Sequence, residues 1–272
     1  MSDETNPAET YEAYMVPALF GPWALRLTRS ARLREGERVI DRVIDVGCGT
    51  GIVAREASRQ VGATGRVVGI DASPQMLTVA RVCAEREQLM IEWQEGRAEE
   101  LPLADGAFDA ATCQFALMFF EDQSAALHEL RRVLSPDGRA VLAVFQPIDR
   151  HPFYVALDEA IQERLGVSAA ADIFSLGDQD QLGRMVRDAG FAKVTIEHAS
   201  LLSRFPEPAA FLAGEIDVDT ASIPAMQGLT AEERATVLRD IGERMQEPLR
   251  QVTDGDEVAL EFHVLLVTAT PS

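Results

Sequence analysis

Val43-Ile44-Asp45-Val46-Gly47-Cys48-Gly49-Thr50-Gly51 decides how this chain folds. A β-branched run that ends in an acid and three alternating glycines predicts a buried parallel strand breaking into a tight loop, with a helix starting at about Gly51. Glycine removes the Cβ that would hold a ligand off the backbone, and the free N–H groups at a helix start carry partial positive charge. Such a corner can hold a polar ligand against main chain.

Spacing selects among the ligands. The dinucleotide fingerprint G-x-G-x-x-G needs its third glycine where Ile52 stands, which disfavours an NAD-dependent oxidoreductase. A phosphate-gripping P-loop ends in Gly-Lys-Ser/Thr, whereas this chain reads Gly51-Ile52-Val53, which disfavours ATP and GTP. Asp45, Gly47, Gly49 and Gly51 resemble instead the D-x-G-x-G-x-G motif that opens class I S-adenosylmethionine (SAM) dependent methyltransferases.

The segments downstream extend the pattern. Ile52, Val53, Ala57 and Val61 form one helix face, ended by Gly62 and Gly65. Arg66-Val67-Val68-Gly69-Ile70-Asp71 is a second buried strand, and Ser73 caps the next helix with Pro74 in its first turn. Asp71 thus lies at a strand's carboxyl end about 20 residues past the corner, where a carboxylate can accept both hydroxyls of a ribose. NAD and SAM share that chemistry.

Leu89–Trp93 reads as the third strand and Ala107–Gln114 as the fourth. The intervening Gly96-Arg97-Ala98-Glu99-Glu100-Leu101-Pro102, followed by Phe108-Asp109, resembles the G-D-A-E-x-L-P…F-D signature of the ubiquinone and menaquinone C-methylating enzymes. In that family the Asp-Ala pair addresses the adenine. Arg97 occupies the aspartate position and has donors only, so Glu99 or a backbone carbonyl must accept from the adenine amino group, while the Ala98 N–H remains available. Arg132, Val133, Leu134, Pro136, Gly138 and Arg139 resemble the family's R-V-L-x-P-G-G-R segment, with Asp137 in place of the first glycine of the pair. The resemblance covers four ordered motifs between about residues 36 and 146. It implies a cofactor site of Asp45, Gly47, Gly49, Gly51, Asp71, Ala72, Met76, Ala98, Glu99, Gln114 and Phe115, with SAM as cofactor.

The fold expected is α/β, a Rossmann-like seven-stranded sheet of order 3-2-1-4-5-7-6 with the last strand antiparallel. Residues 1 to about 8 read as disordered. Residues 1–35 form an N-terminal helical lid of two amphipathic stretches, broken by Pro17 and Gly21-Pro22, that could lay Tyr11, Tyr14 or Phe20 over a ligand. Residues 36–200 form the core with a helical insertion at about 150–190, 201–253 a helical cap, and 254–272 the returning strand. Arg38-Val39-Ile40-Asp41 duplicates Arg42-Val43-Ile44-Asp45 and reads as a lead-in to the first strand. Within the later segments Phe153–Leu165 and Asp178–Ala189 read as helices, Gly190–Glu197 and Glu257–Thr268 as strands.

Composition narrows the partners. The chain has 272 residues, 25 basic against 44 acidic, a net charge of −19, and Lys193 as its single lysine. That surface repels phosphate backbones and anionic lipid, so nucleic acid is not the expected partner. The chain has no apolar run long enough to span a bilayer and an acidic start unlike a signal peptide, so a cytoplasmic location is expected. Cys48, Cys83 and Cys113 are too scattered for a disulfide framework, and no metal site is evident. The partner expected is a small-molecule methyl acceptor, with a homodimer left open.

A sulfonium methyl is already activated, so alignment and exclusion of water are the main demands, and a base matters only if the acceptor must lose a proton. Among the four histidines, His151 in Gln146-Pro147-Ile148-Asp149-Arg150-His151 is the candidate base, because it follows the fifth strand where acceptors approach in such folds. His128, His198 and His263 are placed less favourably. Phe153, Tyr154, Phe174, Phe205, Phe211 and Met226 could wall an acceptor pocket or simply pack a core. The reading is a SAM-dependent methyltransferase for a small apolar or aromatic metabolite. The rivals are a non-catalytic SAM-binding scaffold and the NAD-dependent oxidoreductase.

Overall fold

The structure is a computed structural model describing residues 6–32, 42–221 and 223–271. Strand β1 (Arg42–Val46) buries Val43, Ile44 and Val46 on both faces, as the continuous β-branched run requires of a central parallel strand. It pairs in parallel with β2 (Arg66–Asp71), which pairs with β3 (Glu92–Glu95). On its other side it pairs with β4 (Phe108–Gln114), which pairs with β5 (Leu134–Phe145). β6 (Lys193–Pro206), the short β7 (Thr253–Asp254) and β8 (Glu257–Thr270) complete the sheet. The order is β3-β2-β1-β4-β5-β8-β6, with β7 turned back antiparallel on β8. Setting aside β7, this is the order the family resemblance implies, mostly parallel with an antiparallel edge.

Several boundaries differ from those read in the sequence. The third strand starts at Glu92 rather than Leu89, because Leu89 N–H donates to Ala84 O and Gln88 adopts a positive φ of 58° to close the preceding helix. β5 begins at Leu134 and passes through Pro136-Asp137-Gly138, a stretch accommodated by a register shift opposite Phe108 and Ala110. β6 runs to Pro206, well beyond Glu197.

At the N-terminus, α1 (Pro7–Thr10) continues through a wide π-helical stretch, Tyr11–Phe20, directly into α2 (Gly21–Ser30). The expected breaks at Pro17 and Gly21-Pro22 therefore do not occur. The wider turn takes up a proline that an α-helix would reject, and the Gly21 N–H reaches five residues back to Val16 O. Ordered helix already starts at Pro7, whereas residues 1–5 and the Arg38–Asp41 duplicate lie outside the described residues. α2 buries Trp23, Ala24, Leu27 and Thr28. α3 (Ile52–Val61), α4 (Pro74–Arg86) and α5 (Gln123–Val133) follow β1, β2 and β4, with Ser73 and Asp122 accepting from the first-turn amides of α4 and α5.

The chain divides into two compact units. The first holds residues up to Val144 together with Asp178–Ala199 and the segment from Val264 on, including α7 (Gln179–Asp188). The second comprises Phe145–Gly177 and Ser200–His263. It contains α6 (Pro152–Leu165), α8 (Pro208–Ala221), α9 (Pro224–Gln227), α10 (Ala231–Arg244) and α11 (Gln246–Val252). Thr230 and Glu233 form a reciprocal capping box at the start of α10. The core of this unit is aromatic: Phe205 and Phe211 have ring centroids 4.8 Å apart, Phe153 packs on Phe211 at 5.6 Å, and Phe145 on Phe262 at 5.9 Å.

Gly69 of β2 lies directly under the Trp93 ring of β3, and a Cβ there would come within 2.4 Å of it. Overpacking of this kind costs about 1–3 kcal/mol. Gly69→Ala is expected to lower the unfolding free energy by that much, read as a lower denaturant midpoint at unchanged slope, and Gly69→Ala with Trp93→Leu is expected to recover most of the loss.

Candidate functional site

The site lies wholly in the first unit, where β1 and β2 end side by side. Three of the expected residues form one hydrogen-bonded corner. The Gly49 N–H donates to Asp71 Oδ2 at 2.7 Å, and the Ser73 N–H, on the far side of Ala72, donates to Asp71 Oδ1 at 2.9 Å. Each carboxylate oxygen keeps lone-pair capacity for a further donor, so Asp71 can bind the loop and a pair of ligand hydroxyls together. Met76 begins the helix beyond, its N–H donating to Ser73 Oγ at 3.3 Å.

Gly51 and Gly49 serve different ends. A Cβ at Gly51, where φ is +84°, would come within 2.3 Å of the Trp93 ring, so this glycine exists for packing and begins α3 in the left-handed conformation. A Cβ at Gly49, φ +55°, would meet nothing nearer than the Tyr11 phenol at 3.9 Å. Among the described residues Tyr11 alone comes within 4 Å of that point, so Gly49 is the part of the corner that the N-terminal stretch covers. Trp93, which makes the third glycine obligatory, carries no sequence signal of that role, because its ring and the two glycines are joined only by the sheet.

Asp45 is buried, its Oδ1 accepting from Thr112 Oγ1 at 2.8 Å. Burial pushes its carboxyl up to about 7, against the pull of Thr112 and the Ala54 amide and with help from the Asp71 charge. Asp45 Oδ2, Thr50 Oγ1 and Gln114 Oε1 are buried without a hydrogen bond. Orphaned acceptors around a glycine corner are what a cofactor with ammonium and hydroxyl donors would satisfy, and the residues present fit SAM. Gln114 Nε2 donates to Phe20 O at 3.0 Å, and Phe115 takes a positive φ of 51° beyond β4, its N–H donating to Ala143 O.

The adenine-side residues are arranged differently from the family pattern. Arg97 is exposed and pairs with Glu121 at 2.8 Å and with Glu99 at 3.5 Å. Glu99 Oε1 accepts from the Glu121 N–H at 2.9 Å, and Ala98 is buried beside it in sequence. The Glu99 carboxylate is thereby committed in part to the loop leading into α5. Arg132 explains another motif position: it reaches Glu129, Asp105, Leu101 O and Leu103 O and so clamps the loop before β4.

In the second unit a cavity of about 290 Å³ is lined by residues including Arg150, His151, Phe153, Tyr154, Glu261 and His263. His151 Nε2 accepts from the His263 N–H at 3.0 Å, which leaves Nδ1 as the protonated nitrogen, 3.3 Å from Pro147 O. Burial, only partly opposed by the Pro147 hydrogen bond, lowers its pKa to about 4. Among the expected wall residues Phe153 and Tyr154 line this cavity, whereas Phe205, Phe211 and Met226 are core. Tyr154 OH donates to Glu215 Oε2 at 2.8 Å, and burial raises Glu215 to about 7 and Asp219 to about 8. His128 is exposed, its Nδ1 2.8 Å from Ser124 O, and His198 bonds to Gln179. Cys48, Cys83 and Cys113 are free thiols, all buried. Among the described residues no three His, Cys, Asp or Glu side chains gather as a metal site, and no helix is long and apolar enough to cross a membrane.

A family described as "Methyltransferase domain" matches residues 44–142. A demethylmenaquinone methyltransferase of Deinococcus radiodurans is 45% identical over 39% of this chain and 44% of its own length. A 2-phytyl-1,4-naphtoquinone methyltransferase of Trichormus variabilis is 33% identical over 59% of this chain and 76% of its own. The chain thus spans less than half of the first relative and about three quarters of the second. A solved structure from Bacillus halodurans overlays with a TM-score of 0.61 across 91% of this chain and 98% of its own at 22% identity, a likeness of fold.

Both buried acids carry a pH signature. Asp45 is protonated more readily folded than unfolded, so its contribution to stability is present at low pH and is lost as pH rises from the unfolded carboxylate range through about 7. Asp45→Asn is expected to flatten that part of the stability-versus-pH curve in thermal melts from pH 4 to 8. By the same sign, Glu215→Gln is expected to raise the melting temperature at pH 8.5 and to leave it nearly unchanged at pH 5, where the native carboxyl is already neutral.

Proposed function

This chain belongs to the SAM-dependent methyltransferases, and we propose that it transfers a methyl group to a small apolar or aromatic acceptor. The corner formed by Gly49 and Asp71 carries the reading, because it fixes a carboxylate with spare lone pairs at the end of β2 against a glycine loop that has no side chain at Gly49. The sulfonium of SAM supplies an already activated methyl group. The duties left to the protein are to bind the adenosyl and amino-acid ends, orient the acceptor and exclude water. Asp71, Asp45, Gly47, Gly49, Gly51, Ala72, Met76, Ala98, Glu99, Gln114 and Phe115 are the residues proposed to contact the cofactor.

The acceptor class rests on two supports. The relatives named above are a demethylmenaquinone methyltransferase and a 2-phytyl-1,4-naphtoquinone methyltransferase, names that point to acceptors with a planar quinone ring. The cavity of the second unit has Phe153 and Tyr154 in its lining, surfaces suited to a planar ring. We further propose that residues 1–35 act as a lid and 201–253 as part of an acceptor-binding cap, and that the chain works as a soluble cytoplasmic enzyme. His151 is assigned no proton: its lone pair is occupied by the His263 amide and its basicity is depressed, so it holds the cavity wall.

Calorimetry with SAM and with S-adenosylhomocysteine is the direct test. Both are expected to bind, and Asp71→Ala is expected to weaken them at least about tenfold by removing the ribose acceptor and freeing the loop amide. Binding of neither would refute the assignment. Binding without turnover across a panel of quinols, phenols and naphthols would favour the scaffold reading.

A further inference from the structure

The N-terminal helical stretch is fastened over the corner by a buried ion triad. Arg55 of α3 is 4% exposed and donates to Glu12 at 2.6 Å through one terminal nitrogen and to Glu87 at 2.6 Å through the other. Glu12 adjoins Tyr11, whose phenol lies over Gly49 and whose ring stacks on Phe20 at 5.0 Å. Two further ties act along the same stretch. Ala8 packs against Val79 and Cys83 of α4, and the Phe20 carbonyl accepts from Gln114. Glu87 is shared with Arg59, whereas Glu12 brings a carboxylate of the N-terminal stretch to a guanidinium withdrawn from water, so losing Glu12 removes an ion pair between that stretch and α3. The Tyr11 ring fills the space beside Gly49 at van der Waals range, so a ligand laid against that glycine needs Tyr11 to move aside.

We propose that Pro7–Phe20 is a strap latched by the triad of Glu12, Arg55 and Glu87, that cofactor exchange requires the strap to lift, and that Arg55 is a positioning residue acting on the cofactor through Glu12 and Tyr11. The proposal rests on the corner being the cofactor site. The strap sets entry and exit, and it leaves the chemical step alone.

Two variants test it, with S-adenosylhomocysteine exchange followed by stopped-flow fluorescence. Glu12→Gln is expected to raise the dissociation rate and the KM for SAM by about five- to tenfold with kcat unchanged, as a smaller closed fraction requires. Glu56→Gln removes a carboxylate of the same charge from α3 and reaches the triad only through Arg59, which Glu87 still holds, and it is expected to leave both parameters near wild type. Ala8→Cys faces the native Cys83. Once oxidised to the disulfide, it is expected to slow both association and dissociation at least about tenfold, and dithiothreitol is expected to restore them. Equal exchange rates in the oxidised and reduced protein would overturn the proposal. So would Glu12→Gln behaving as Glu56→Gln does, or failure of Ala8→Cys to cross-link at all. Wild-type protein that binds no S-adenosylhomocysteine would instead overturn the cofactor assignment on which the strap depends.

Discussion

The hydrogen bond from the Gly49 amide to the Asp71 carboxylate is the contact on which the site depends. It joins the loop leaving β1 to the end of β2, and two backbone bonds stitch the same place: Cys48 N–H to Ile70 O and Gly96 N–H to Asp71 O. The ends of three parallel strands are thereby held together, with the register Asp45 opposite Gly69 and Gly69 opposite Trp93 placing each partner. Trp93 then fills the space beside Gly51 and Gly69, and helix α3 starts where the ring allows it to. A ligand site made this way is rigid before any ligand arrives, which reduces the ordering cost of binding.

Much of this was legible in the residues. The glycine corner and the acid at the end of β2 follow from local patterns, namely β-branched runs, glycines at fixed spacing and a capping serine before Pro74, whereas the strand order came from the family resemblance. The family signature around Gly96–Pro102 also acquires a physical reason in the structure, since Glu99 holds the loop before α5 and Arg132 holds the loop before β4. Other features were invisible because they are pairings across long stretches of chain. Glu12, Arg55 and Glu87 lie on three segments far apart in the chain, and nothing local marks Arg55 as buried. The π-helical stretch was misread because Pro17 and Gly21-Pro22 are ordinarily breakers, and only the wider turn lets them continue a helix. The aromatic residues of the second unit could not be apportioned between wall and core by sequence, because both roles demand the same side chains.

The electrostatics of the chain are uneven in a useful way. Against a net charge of −19, burial raises three carboxyls, Asp219 to about 8 and Asp45 and Glu215 to about 7. Asp45 and Glu215 sit in different units and have different company: a threonine hydroxyl for one, a tyrosine hydroxyl for the other. Each hydroxyl offers a hydrogen bond without a charge, so neither acid is fully compensated.

The threading of the chain bears on how the molecule is made. β8 lies between β5 and β6 in the sheet, and the first unit takes its closing segment from Val264 onward. During synthesis β6 emerges with no finished neighbour to add to, and its edge must wait until some fifty further residues have been translated and β8 can insert. The nascent protein therefore passes through a state with five strands joined, the β5 edge open and β6 unpaired, the stage at which chaperones would hold it and at which a truncated message would yield an aggregation-prone product.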